Sequence, residues 1–173
     1  MTRGRSAASG RRVRAAASLF LGLATLALAS GARAESWGGI TPGQTARPEV
    51  ERLYGRPSRE RTMVEEGRTV SEWTYAGERA PQGMERVVIS YGDLIGGRFV
   101  PDVVRAVTLY PKPRVFTFRA IMNGWGKPDA IGTEEATGRP ALHYRTQGLF
   151  IILDKTESWA EVLVFGPRLP SGS

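Results

Sequence analysis

The sequence predicts an α+β domain: two tandem helix-plus-four-strand repeats forming one antiparallel sheet, with the helices packed on one face. Three observations carry this. Gly55-Arg56-Pro57 recurs as Gly126-Lys127-Pro128, and the offset of 71 holds without a gap from Glu49 to Trp73. Five positions in that window are identical, among them Gly67-Arg68 and Gly138-Arg139, and Trp73 falls on Tyr144. A near-repeat of this kind is the mark of a supersecondary unit stacked on its copy. Each copy opens on a short helical stripe, and each continues in Val-, Ile- and aromatic-rich runs broken by turn residues.

Residues 1–34 read as a secretory signal peptide. They carry six arginines and no acid, followed by the uncharged run Ala15–Ser30 and the small-x-small site Ala32-Arg33-Ala34. Removing them changes the charge argument. The whole chain is +7, but the mature chain from Glu35 is +1 with both signs interspersed. A nucleic-acid reading built on the high isoelectric point therefore fails. The chain has no cysteine, so disulfide staples and an N-terminal lipid anchor are both excluded. The remaining 139 residues suffice for one domain with its own core.

The first repeat is placed at 35–110. Thr45 is the expected helix N-cap, Pro48 sits in the first turn, and Val50, Leu53 and Tyr54 form the buried stripe. Gly55 and Pro57 stop the helix. Strands follow at 58–64 and 69–75, joined across Glu65-Glu66-Gly67-Arg68, then at 86–91 and 103–110. Gly92–Asp102 reads as a long loop displaying Leu94, Ile95, Phe99 and Val100, either a lid or a partner contact. The second repeat, 111–166, opens at a proline hinge. Phe118, Ile121, Met122 and Trp125 make its stripe. A hairpin across 136–139 leads into strands at 141–145, 149–154 and 159–165. Residues 167–173 read as a disordered tail.

The run Ile40-Thr41-Pro42-Gly43-Gln44-Thr45, with Val50 and Leu53-Tyr54-Gly55-Arg56-Pro57, resembles the SmpA/OmlA (BamE-like) module of bacterial envelope proteins. In that module a Pro-Gly-x-Thr lead-in starts a helix ending in Leu-x-Gly-x-Pro, and a strand with spaced aromatics follows; Trp73 and Tyr75 match that strand. The tandem arrangement is similar to the β-lactamase inhibitor protein fold. The second copy lacks the lead-in and matches from Phe118 on. The resemblance implies an envelope location and a protein partner. The absent cysteine departs from the lipoprotein pattern of the first family and from the disulfides of the second.

Residues suited to chemistry are sparse. His143 is the single histidine, too few for a zinc site without cysteines. Asp154 and Glu157 flank a turn, and Gly38-Gly39 and Gly96-Gly97 lack the strand–loop–helix setting of a phosphate cradle. No catalytic, cofactor or metal residue is assigned. The aromatics are better candidates, and Trp73, Tyr75, Tyr144, Trp159 and Phe99 are assigned to partner binding. The expectation is an exported, non-enzymatic protein-binding module, periplasmic or extracellular, accessory to outer-membrane or envelope protein assembly. A secreted enzyme inhibitor using an open sheet face is the alternative, and a carboxylate-based hydrolase is a third reading. Cleavage at the Ala-x-Ala site predicts that intact-mass measurement of the exported protein returns residues 35–173; retention of residues 1–34 would refute the signal assignment.

Overall fold

The computed structural model describes residues 36–167. The assigned signal segment and residues 168–173 lie outside the described residues, as does the rest of the tail beyond Pro167. Helix α1 (Arg47–Tyr54) precedes strands β1 (Arg59–Glu65), β2 (Arg68–Ala76), β3 (Met84–Ile95) and β4 (Arg98–Pro111). Helix α2 (Phe118–Trp125) precedes β5 (Ala130–Thr133), β6 (Pro140–Tyr144), β7 (Leu149–Leu153) and β8 (Ala160–Phe165). The strands form one antiparallel sheet in the order β1-β2-β3-β4-β8-β7-β6-β5. Among the described residues the fold is α+β, with two α-helices and an eight-stranded sheet.

The local chemistry explains most boundaries. Thr117 caps α2 by accepting the Ala120 N–H at 3.2 Å. Thr45 does not cap α1; its hydroxyl accepts the Thr41 N–H at 2.9 Å, and Ala46 holds the cap position without a side-chain bond. The lead-in loop takes that hydroxyl first. Both helices stop at glycines with positive φ, Gly55 at 69° and Gly126 at 77°, a conformation that a Cβ disfavours. Glu66 and Gly67 both have positive φ, so a two-residue primed turn joins β1 to β2.

The same chemistry corrects the expected loop at Gly92–Asp102. Gly96 and Gly97, at φ 57° and 79°, make a second two-residue primed turn, and the strands run up to it on both sides. Leu94 pairs with Phe99 and Asp93 with Val100. Register shifts at Tyr91 and Asp93 bend this hairpin away from β2. Gly92 sits at the bend, where an added Cβ would lie 3.0 Å from the Phe99 ring and 3.1 Å from Val70.

Period-two alternation sets the core. Ser71, Trp73 and Tyr75 of β2 face inward with Val87, Ile89 and Tyr91 of β3 and Val104, Val107 and Leu109 of β4. Leu142, Tyr144, Ile151, Leu153, Leu163 and Phe165 continue this layer through β6–β8. Val50 of α1 and Ile121 of α2, both fully buried, join the same cluster. Two tyrosines tie strand to helix stop: Tyr75 Oη donates to the Gly55 carbonyl and Tyr144 Oη to the Gly126 carbonyl, each at 2.9 Å. Tyr144 thus takes the role of Tyr75, and not of Trp73 as the 71-residue offset aligned it. Ala130 pairs with His143 where Arg59 pairs with Thr74, so the second hairpin is shorter by two residues.

Arg47, the first residue of α1, clamps the helix to four strands. Its guanidinium donates to Glu60 of β1 at 3.0 Å and Asp102 of β4 at 2.9 Å, and also to Ser71 of β2. It lies 4.4 Å from the ring centre of Tyr91 in β3 and 5.2 Å from that of Trp73. Both carboxylates are more than half exposed, so solvent screens the ion pairs and the stacking carries much of the effect. We expect Arg47→Ala to cost about 2–3 kcal/mol and Arg47→Lys about half of that, because an ammonium lacks the planar fork. Tyr75→Phe and Tyr144→Phe are each expected to cost about 1 kcal/mol in urea unfolding. Equal stability of the lysine variant and the wild type would refute the clamp.

Candidate binding face

The residues that alternate away from the core form the outer face of the sheet. Thr74, Val88, Thr108, Val164, Phe150 and His143 stand in register across β2, β3, β4, β8, β7 and β6. In the next row Arg86 pairs with Tyr110, and Val162 pairs with Ile152, which in turn pairs with Ala141. Most of these side chains are half-buried by their neighbours alone, because both helices lie against the inward-facing layer. Val88, Val164, Phe150, Ile152, Val162 and Tyr110 make this face apolar through its centre. A large uncovered apolar surface rimmed by polar groups is a feature of interaction sites.

Two hollows mark the face. One, of about 360 Å³, is lined by Tyr110, Pro111, Pro113, Trp159 and Val162, with Glu85, Arg139 and Glu161 at its border. The Arg86 guanidinium stacks 3.8 Å from the Tyr110 ring centre, Arg114 lies 5.7 Å from that of Trp159, and Arg139 pairs with Glu161. The other, of about 280 Å³, lies over Phe150, Val164 and His143, whose ring is 4.8 Å from that of Phe150. A larger cleft of about 570 Å³ opens where the β3–β4 hairpin bends from β2. Val70, Gly92, Leu94 and Phe99 line it, with the Glu65–Arg105 ion pair at 2.7 Å on its wall.

The aromatic residues assigned from sequence divide between core and surface. Trp73, Tyr75 and Tyr144 are 5%, 1% and 1% exposed, which corrects their assignment to partner binding. Their strand positions share the inward face, and the two tyrosine hydroxyls are spent on the helix-stop carbonyls. Trp159 and Phe99 are half-buried and reach the first hollow and the cleft, which are separate places on the molecule. Phe150, Ile152, Val162 and Val164, which stand on this face, were not assigned from sequence. The usable signal was the run Leu149–Leu153, which is apolar on both faces, whereas a strand with one solvated face alternates with polar residues.

The carboxylates with displaced pKa values all move downward. The hydrogen bond and charge of Arg105 lower Glu65, and the Thr137 hydroxyl with nearby main-chain N–H groups lowers Glu134. A general acid needs the opposite direction. Asp154 loses water through burial, which opposes its charge, yet bonds from the Thr156 hydroxyl and the N–H groups of Thr156, Ser158 and Trp159 hold its pKa at about 2. It organises the β7–β8 turn. Among the described residues no group of three or more His, Asp or Glu is placed to hold a metal ion, and no helix is long and apolar enough to cross a membrane.

No protein-family model matches the chain, and no curated protein matches it in sequence. Among solved structures, it is similar to a DUF4309 family protein, YjgB, from Bacillus subtilis, with 12% identity and a TM-score of 0.47 over 75% of this chain and 83% of that one.

Because Asp154 is ionised more readily folded than unfolded, its contribution is present above about pH 4 and is lost as the pH falls toward 2. We expect Asp154→Asn to lower the thermal midpoint at neutral pH and to flatten the acid limb of the stability profile. An unchanged acid limb would refute the role of the turn.

Proposed function

We propose that this chain is an exported, non-enzymatic protein-binding module that engages its partner through the outer face of the sheet. The observation that carries the reading is the apolar surface over Val88, Tyr110, Phe150, Ile152, Val162 and Val164, which neither helix covers. Large side chains on a rigid sheet bind at little cost in conformational entropy. The signal pattern and the resemblance to the SmpA/OmlA module favour an envelope partner and a role accessory to outer-membrane protein assembly. We also infer that the two halves descend from one duplicated unit. Matched contacts support this: Val104 N–H donates to the Thr45 carbonyl and Ala160 N–H to the Phe116 carbonyl, each just before its helix. The paired tyrosine bonds and glycine stops add to it.

A second reading, a secreted enzyme inhibitor, is favoured by one observation. The β3–β4 hairpin ends in exposed Leu94 and Ile95, at 49% and 40%, beside its glycine turn. A firm hairpin with an apolar tip is suited to entering a partner's cleft.

Affinity capture from an envelope fraction separates these readings. With the wild type as bait, Phe150→Glu combined with Val164→Lys is expected to reduce partner recovery at least tenfold, while circular dichroism stays unchanged. Loss with Leu94→Asp and Ile95→Asp instead would favour the inhibitor reading. Undiminished capture by the Phe150 and Val164 variant would overturn the face as the binding surface.

A further inference from the structure

The two edges of the sheet differ in kind. Edge strand β1 also exposes an apolar residue, Val64 at 71%, but it carries Arg59, Glu60, Arg61 and Glu65, and charge on an edge discourages further strand pairing. Edge strand β5, Ala-Ile-Gly-Thr, has no charge at all. Its Ile131 is 72% exposed. Glu134 N–H donates to the Arg139 carbonyl at 2.8 Å. Main-chain direction alternates along a strand, so Gly132 and Ala130 also turn toward β6, while the N–H and C=O groups of Ile131 and Thr133 point outward.

A second observation is independent of the first. Phe118 is the first residue of α2, as Arg47 is of α1, and Ile131 faces Leu142 across β5–β6 as Glu60 faces Trp73 across β1–β2. In the first half these two places hold the Arg47–Glu60 ion pair, which satisfies itself within the chain. In the second half they hold Phe118, 38% exposed, and Ile131. Among the described residues, the strand edge with outward-pointing hydrogen-bonding groups therefore also carries an exposed apolar side chain, Ile131, where the first half has the ion-paired Glu60.

We propose that the β5 edge accepts an extended polypeptide segment of a partner protein, added as a ninth strand. Main-chain bonds to Ile131 and Thr133 would fix it, and an apolar side chain would cover Ile131 and Phe118. Asp129, Glu134 and Glu135 bracket the strand; Asp129 accepts the Thr146 N–H and Glu134 the Ala136 and Thr137 donors, Lys127 precedes Asp129, and Arg139 is engaged with Glu161. The segment accordingly carries lysine or arginine on either side of its apolar centre. A second copy fits less well. Antiparallel self-pairing that sets Ile131 against Thr133 opposes Asp129 to Glu135 of the other copy, and like charges directly opposed are destabilising; the register that sets Ile131 against itself lacks the Asp129 N–H, which already donates to the His143 carbonyl. This edge is a different surface from the outer face proposed above.

The test is NMR titration of the 15N-labelled mature chain with the peptide Lys-Thr-Val-Thr-Val-Thr-Lys. The expected result is movement of the Ile131, Thr133 and Phe118 amide signals. Thr133→Pro and Ile131→Lys should each weaken binding at least tenfold without lowering the thermal midpoint, because neither removes a β5–β6 hydrogen bond. A peptide with glutamates in place of the lysines should bind at least tenfold more weakly. Unmoved Ile131 and Thr133 signals at millimolar peptide overturn the proposal, as does equal binding by a main-chain N-methylated peptide. Shifts at Phe150 and Val164 without shifts at Ile131 place the strand on the outer face and also overturn it. Self-association of the free chain that Ile131→Lys abolishes assigns the edge to a second copy and overturns the partner reading.

Discussion

The eight-stranded sheet depends on the seam between β4 and β8. Only three residue pairs join there: Val107 with Phe165, Thr108 with Val164, and Leu109 with Leu163. The four inward-facing members, Val107, Phe165, Leu109 and Leu163, are 0–2% exposed, and burying each contributes about 1.5–3 kcal/mol relative to exposure. The inward residues of the seam underlie the core that both helices complete. The outward residues Thr108 and Val164 sit at the centre of the outer face, flanked by Tyr110 and Val162. One short ladder thus sets the continuity of the core on one side and of the candidate binding surface on the other.

Features governed by local backbone chemistry were legible in the sequence. The α2 helix, the glycine helix stops and the Glu66-Gly67 turn each need particular residues, and the structure places them where the sequence read them, although Phe118 of the α2 stripe lies exposed. Where two local rules competed, the reading failed. Gly92–Asp102 looked like a loop because glycines are frequent there, yet two of those glycines make a tight turn that extends both strands. Thr45 was a reasonable cap, but the preceding loop claims its hydroxyl. Three of the five aromatic site assignments, Trp73, Tyr75 and Tyr144, fall in the core for another reason. Period two shows that Trp73 and Tyr75 share a face, but which face meets the helices is decided by tertiary packing. Trp159 stayed at the surface, and the apolar outer residues of β7 were the signal left unused.

The halves differ most at their first helix turn. Arg47 gathers Glu60, Asp102, Ser71, Trp73 and Tyr91 into one mixed cluster, in which the Tyr91 hydroxyl and the Trp73 indole N–H find no hydrogen-bond partner among the described residues. Burial drives the Tyr91 pKa strongly upward, so that hydroxyl stays protonated. The second half meets the same geometric need with apolar residues. At this place the first half satisfies itself with the Arg47–Glu60 ion pair, while the second holds the exposed Phe118 and Ile131.

The strand order also bears on how the chain reaches this structure. Six of the seven strand pairings join strands consecutive in sequence, and the β4–β8 seam is the exception. Sequence-local pairings close small loops and form quickly, whereas the seam must wait for a span that includes α2 and β5–β7. Each four-strand meander can assemble on its own schedule, and their junction is the late, long-range event. A chain cut between the two meanders would keep six of the seven strand pairings within its fragments and lose the β4–β8 seam.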